Sequence, residues 1–187
     1  SFKFAIKADE IIENTKDKSL LPRLIGVPIS IKDHIMIEGF KSTQGLLKNY
    51  NYIANENSYL TEILIKEGAV PLCKGNVPQG MLTFESFNNL YGNALNPWNR
   101  TKTAGGSSGG EGGLVSSFSV PIGIGSDIGG SIRVPSMYNG IYGFKPTMNR
   151  FSKKGLLQIN NKTTYGFNTI EGSVGPMGRS VEDLVLI

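Results

Sequence analysis

The sequence predicts an α/β fold built on a largely parallel sheet, and three consecutive stretches carry that expectation. Leu24 to Ile31 reads as a strand, because Val27, Ile29 and Ile31 alternate with Pro28, Ser30 and Lys32. Asn57 or Ser58 can cap a helix running to Glu67, with Leu60, Ile63 and Leu64 facing inward and Gly68 as the stop. Ala69 to Cys73 is a short, continuously apolar run, the pattern of a strand covered on both faces. Strand, helix, strand at this spacing is a βαβ unit, which makes its two strands parallel.

The remaining elements follow in order. Ala5 to Thr15 has helical spacing, with Ala5, Ala8, Ile11 and Ile12 along one face, and Lys16 to Ser19 form a polar loop after it. Ser180 before Val181, Glu182 and Asp183 reads as a capped helix start, with Leu184 to Ile187 as the first core residues. That helix stops after about two turns, shorter than a globular helix normally runs. Together with Ser1 in place of Met and an uncapped apolar start, this leads us to expect a piece of a larger protein.

Composition removes several classes of function. The chain has 187 residues, 39% hydrophobic and 18% charged, enough apolar content for a globular core. One cysteine excludes an internal disulfide framework, and one cysteine with one histidine argues against a structural zinc site. The net charge of +4 comes from scattered lysines without the basic stripe that nucleic acid requires, so no nucleic-acid partner is expected. No apolar run approaches the roughly 20 residues of a membrane-spanning helix and no secretory signal opens the chain, so the expected location is intracellular. Without such a signal, Asn99 and Asn161 are read as chance matches to the N-x-[ST] acceptor pattern.

One region stands apart. Thr103 to Phe144 holds only Glu111, Asp127 and Arg133 as charged residues, and half of all the glycines lie between Gly105 and Gly143. A flexible Gly/Ser linker would have that composition. It would not contain Leu114, Val115, Phe118, Val120, Ile122, Ile124 and Ile128. Glycine-rich, apolar and nearly uncharged together imply buried backbone with close approach of chain segments.

Three chemistries compete for Gly105 to Gly113. A phosphate cradle fits poorly: no lysine follows the glycines, the dinucleotide spacing is absent, and the preceding NPWNRTKTA makes a poor parallel strand. A nucleophile elbow is matched literally by Gly105-Gly106-Ser107-Ser108-Gly109, but its histidine should follow, and the single histidine, His34, lies upstream and reads as an ordinary side chain after a strand. The third needs no histidine. A desolvated Lys32 can act as a base toward Ser107 and Ser131, and Gly129 and Gly130 leave backbone N–H groups to converge on an oxyanion. A surface lysine at a strand end is the commoner fate of such a residue, and spacing alone leaves these readings open.

The longer motifs bear on the choice. GVPISIKD (Gly26 to Asp33), GNVPQGML (Gly75 to Leu82), NPWNRTKTAGGSSGGEGG, GIGSDIGGSIRVPSMYNGIYGFKPT and GSVGPMGRSVEDL follow one another in that order. They resemble the amidase signature family of Ser–cis-Ser–Lys amide hydrolases, from about Leu24 to Asp183. The resemblance implies a central mixed, largely parallel twisted sheet flanked by helices, of which residues 1–187 would be a part truncated at both ends. Its catalytic core segments would be about 24–33, 75–82 and 96–147.

The resemblance also implies roles. Ser131 would be the nucleophile, Ser107 the bridging serine after a cis Gly106–Ser107 peptide, and Lys32 the base. The backbone N–H groups of Ile128, Gly129, Gly130 and Ser131 would hold the oxyanion, and Met81 and Ser107 would touch the substrate. Read from the residues themselves, Asp127 and Arg133 are expected to pair and brace the loop they flank, Ser108 to serve as a capping or hydrogen-bonding residue, and Cys73, in an apolar strand, to lie in the core. No cofactor and no metal are implied. Asn76 to Gln79 and GGSSGGEGG are similar to the fatty-acid amide hydrolase branch, whereas tRNA-linked amidase subunits carry Ser-Ala where this chain has Glu111-Gly112. The implied partner is a small-molecule, lipid-like amide such as an N-acylethanolamine. Membrane association and a homodimer belong to the full-length protein in that branch. A small-amide amidase, a glutamyl-tRNA amidotransferase subunit and a non-catalytic binding homologue are the alternatives.

Overall fold

The computed structural model describes residues 1–157 and 171–187. Helix α1 (Phe2–Asn14) begins three residues earlier than its apolar spacing predicts, and of its expected inner face only Ala8 is fully buried. Asp17 then caps a short 3₁₀ turn, its carboxylate accepting from the Ser19 N–H at 3.0 Å.

The βαβ unit forms as expected. Strand β1 (Pro28–Lys32) and strand β2 (Val70–Gly75) pair in parallel, joined across helix α2 (Tyr59–Lys66). Its boundaries and faces differ in three places, each for a local reason. β1 starts at Pro28 and not at Leu24, because the Val27 N–H folds back to the Leu24 carbonyl at 2.9 Å and Gly26 turns the chain at φ +76°. On α2, whose N-cap is Ser58, Leu60 and Leu64 are buried as expected, but the third buried side chain is Thr61, whose hydroxyl donates to the Met36 carbonyl at 2.9 Å, while Ile63 stays 39% exposed. Among the described residues β2 lies at the edge of the sheet, so Leu72 is 42% exposed and Cys73 is half-buried, not the core residue expected.

Between residues 87 and 103 two small antiparallel ladders follow, β3 (Phe87–Asn88) with β4 (Gly92–Asn93) and β5 (Leu95–Asn96) with β6 (Asn99–Thr103). Asn99 opens β6 with its side chain bonded to Thr101, and Asn161 lies outside the described residues. The Gly-rich region is not a linker. It folds into helix α3 (Gly109–Ser116), strand β7 (Ile122–Asp127), helix α4 (Arg133–Asn139) and strand β8 (Tyr142–Gly143). Strand β9 (Ser173–Gly178) and helix α5 (Val181–Leu186) complete the described elements. Ser180 and Asp183 form a reciprocal capping box on α5, as the sequence predicts.

Among the described residues one five-stranded sheet runs β2–β1–β7–β9–β8. β2, β1 and β7 are mutually parallel, and β9 is antiparallel to both β7 and β8. The sheet is therefore mixed, with one strand reversed. Ile29, Ile31, Ile122 and Ile124 cover one face and pack with Leu24, Ile35, Ile37, Leu60 and Leu64. Each such side chain contributes about 1.5–3 kcal/mol on burial.

The other face receives α3, and that decides its composition. Four glycines in the first five positions cost a helix about 0.8–1.0 kcal/mol each relative to alanine. Three of the four, Gly109, Gly110 and Gly112, are required by proximity: a Cβ at Gly110 would overlap the backbone nitrogen of Asn76, just past the end of β2. No helix among the described residues is long and apolar enough to cross a membrane.

Candidate active site

Parallel neighbours β1 and β7 end side by side, and each ends in a charged residue, Lys32 and Asp127. Lys32 is completely buried. Its Nζ donates to Ser107 Oγ at 2.8 Å, to Ser126 Oγ at 3.0 Å and to the Ser126 carbonyl at 3.2 Å. Burial pushes its pKa well below the ordinary lysine value, and the negative charges of Glu111 and Asp127 only partly pull it back. An amine so placed can accept a proton near neutral pH.

Ser107 lies in the loop between β6 and α3, 2% exposed, after a cis Gly106–Ser107 peptide. A Cβ on Gly106 would meet the Thr83 carbonyl, Phe84 and the Glu85 nitrogen at 2.9 Å, so residues 83–85 lie directly on this turn. The next residue stitches the loop to β7. Ser108 Oγ donates to the Ser126 carbonyl at 3.2 Å and accepts from the Ser126 N–H at 3.3 Å. The Ser108 N–H donates to the Ser131 carbonyl at 3.1 Å, joining the two serine-bearing segments.

Ser131 sits in the turn between β7 and α4, 7% exposed. That turn is organised by Asp127. Its buried carboxylate accepts from the N–H groups of Gly130 at 2.7 Å, Ile132 at 3.0 Å and Arg133 at 3.3 Å. It also takes a two-point contact from the Arg133 guanidinium, Nε at 3.0 Å and Nη2 at 2.9 Å. Burial alone would raise this carboxyl, but the Arg133 pair and the amides outweigh it and hold the pKa at about 2.

Among the described residues the N–H groups of Ile128, Gly129 and Ser131 meet no protein acceptor, while that of Gly130 is engaged by Asp127. No side-chain hydrogen bond joins Ser107 to Ser131 there. Lys32 and Ser107 are brought into direct contact, and Ser131 is brought in through the main chain.

The other sequence candidates are placed as follows. Met81 is partly buried in a tight turn at φ +61°, three residues before Phe84, whose ring would lie 3.4 Å from a Cβ on Gly130. His34 is buried, and burial, followed by the charges of Lys32 and Lys74, drives its pKa well below the ordinary value. A cavity of about 420 Å³ opens beside the ends of β1 and β2, lined by Asp33, Lys41, Thr43, Lys74, Asn76 and Tyr91 among others. Lys32, Ser107 and Ser131 do not line it.

Two residues at this site carry no role in the sequence reading. Ser126 holds Lys32, and its one local signal is a hydroxyl at the end of a strand otherwise alternating Ile and Gly. Glu111 stands out in the sequence only as a rare charge, yet it is completely buried close to Lys32.

Similarity to known proteins falls on the same region. The sequence profile of the Amidase family matches residues 3–187. The chain is 46% identical over 163 residues to Fatty-acid amide hydrolase 1 of Sus scrofa, covering 87% of this chain and 28% of that protein. It is 42% identical over 175 residues to Vitamin D3 hydroxylase-associated protein of Gallus gallus, covering 94% and 36% respectively. It is 40% identical over 171 residues to an acetamidase of Emericella nidulans, covering 91% and 30%. Among solved structures, a fatty acid amide hydrolase superposes with a TM-score of 0.88 at 36% identity, over 98% of this chain and 31% of that one. The chain thus spans about a third of the length of the relatives it matches.

Proposed function

The chain belongs to the amidase family, and from that premise we propose that it is the catalytic segment of a larger amide hydrolase that acts through an acyl-enzyme on Ser131. The observation that carries this reading is the 2.8 Å contact between Lys32 Nζ and Ser107 Oγ, in surroundings that disfavour the ammonium form. In the neutral state Lys32 takes the Ser107 hydroxyl proton as Ser107 takes that of Ser131. Ser131 Oγ forms a bond to the amide carbonyl carbon, and the carbonyl oxygen becomes an oxyanion received by the backbone N–H groups of Ile128, Gly129 and Ser131; that of Gly130, expected to join them, is held by Asp127. Collapse breaks the C–N bond. Ser107 returns a proton to the departing amine and is reprotonated by Lys32. Water, deprotonated through the same relay, then releases the acid.

For substrate we propose fatty-acid amides such as N-acylethanolamines, supported by the 46% identity to the porcine fatty-acid amide hydrolase and by the Asn76 to Gln79 and Gly105 to Gly113 motifs. Membrane association and a homodimer of the full-length protein go with this substrate. The 40% identity to an acetamidase favours short amides as the second reading.

Peptide mapping after a fluorophosphonate probe, on the full-length protein, tests the mechanism. Label is expected on the peptide carrying Ser131, and Lys32→Ala is expected to slow labelling by about 10²–10⁴-fold, the usual weight of a positioned base. A well-folded, unlabelled protein would replace the hydrolase with a binding homologue. Hydrolysis rates across a series of acyl amides, from acetamide to oleamide, then separate the two substrate readings.

A further inference from the structure

Glu111 is the most buried acid in the molecule, and the relay described above leaves it without a task. It is fully enclosed in the first turn of α3, and neither carboxylate oxygen has a hydrogen-bond partner; the N–H groups of Gly75 and of Glu111 itself face it without completing a bond. An ionised carboxylate without donors costs several kcal/mol to bury unless an opposite charge stands beside it. The fold supplies that charge from the neighbouring strands. Gly75 is the β2 partner of Lys32 across the ladder, and a Cβ there would run into the Glu111 carboxyl group. The strand residue opposite Lys32 is thus reduced to glycine where the acid lies. Ser30, two residues before Lys32 on β1, has a buried hydroxyl without a partner, and a Cβ on Gly123 would stand 3.0 Å from Glu111 Cβ and 3.1 Å from Ser30 Oγ. The acid is therefore pressed beneath the strand that ends in Lys32.

We infer that Glu111 is a positioning residue for Lys32: a buried counter-ion that stabilises the lysine ammonium formed when the relay moves a proton from Ser107. This rests on the proposed role of Lys32 as base. It gives the site an acid in the relation to lysine that the buried aspartate of a Ser-His-Asp triad has to histidine, reached from the helix that follows the bridging serine. The charged and titratable groups facing Glu111 are Lys32 on β1 and Cys73 and Lys74 on β2; Lys32 additionally faces Asp127 and His34. Lys74 turns its ammonium to the Ile35 carbonyl at 2.7 Å and Ser42 Oγ at 3.0 Å, and its charge acts on Glu111 more weakly than that of Lys32.

The sign of the effect follows from charge. An adjacent carboxylate favours the protonated lysine, so its removal lets Lys32 lose its proton at lower pH while withdrawing stabilisation from the ammonium formed during acylation. The experiment is the pH dependence of fluorophosphonate labelling of Ser131 in the full-length protein, for wild type, Glu111→Gln, Glu111→Ser, Glu111→Asp and Lys32→Ala.

For Glu111→Gln the midpoint of the acidic limb is expected to move down by about 1–3 pH units, the usual influence of a close opposite charge. The plateau rate is expected to fall at least tenfold. Glu111→Ser removes the charge in a smaller side chain and is expected to move the midpoint the same way, which covers a Gln variant that fails to fold. Glu111→Asp keeps the charge and is expected to keep the wild-type midpoint. A midpoint unmoved in Gln or Ser variants, with Lys32→Ala still inactive, overturns the counter-ion and leaves the lysine base standing. Undiminished labelling in Lys32→Ala overturns the base assignment, and the counter-ion with it.

Discussion

Asp127 shows how one carboxylate can shape the turn that carries the proposed nucleophile. It accepts five hydrogen bonds from Gly130, Ile132 and Arg133, so the turn bearing Ser131 is wound around it. Its pKa is depressed from 3.8 to about 2, so it contributes stability that is fully present above 3.8 and is lost as pH falls through about 2. Asp127→Asn is expected to remove that acid dependence, seen in denaturant titrations across this window, and to slow Ser131 labelling.

The adjacent glycines separate by geometry. Gly130 adopts φ +134°, where a side chain is strained, whereas Gly129 has open space for a Cβ. Gly130→Ala is therefore expected to cost more stability and more labelling than Gly129→Ala, as thermal melts and probe kinetics would read. Nothing in the repeated Gly-Gly of the sequence distinguishes the two. Lys32, Ser107 and Ser131 stand out in the sequence as candidates because residue type and motif point to them. Ser126 does not, because a serine 94 positions away becomes a lysine partner only when two strands align.

At the scale of elements, α3 sets helix propensity against packing. Gly113 would place a Cβ only 3.7 Å from the Leu95 carbonyl, an ordinary contact, so Gly113→Ala is expected to stabilise by about 0.5–1 kcal/mol. Gly110→Ala is expected to destabilise, because its Cβ meets backbone that cannot move aside. Urea titrations of the pair measure both signs.

Helices α2 and α5 were readable from the sequence because their serine caps are local signals, confined to one turn each. β7 and β9 escape such a reading. IGIGSD and SVGPMG are interrupted by glycines, and β9 contains Pro176, so neither has the propensity of a strand; they exist through pairing with each other and with β1 and β8. The edge position of β2 was equally invisible, since an apolar run does not reveal how many neighbours its strand has.

For the whole molecule, the parallel β2–β1–β7 half of the sheet places the ends of β1 and β7 together, and the antiparallel β9 flanks β7 on its other side. The lysine reaches its hydroxyl partners across 75 and 94 residues of chain, and no shorter connection brings them together. Loop closure on that length must be paid before β1 and β7 reward it, so the site has no early, local precursor. Chemical competence should consequently be a late event in refolding. In a refolding time course of the full-length protein, recovery of probe reactivity is expected to coincide with the final tertiary fluorescence change and to trail the helical circular dichroism signal. The molecule would then be unable to acylate itself on a stray amide before its core has closed.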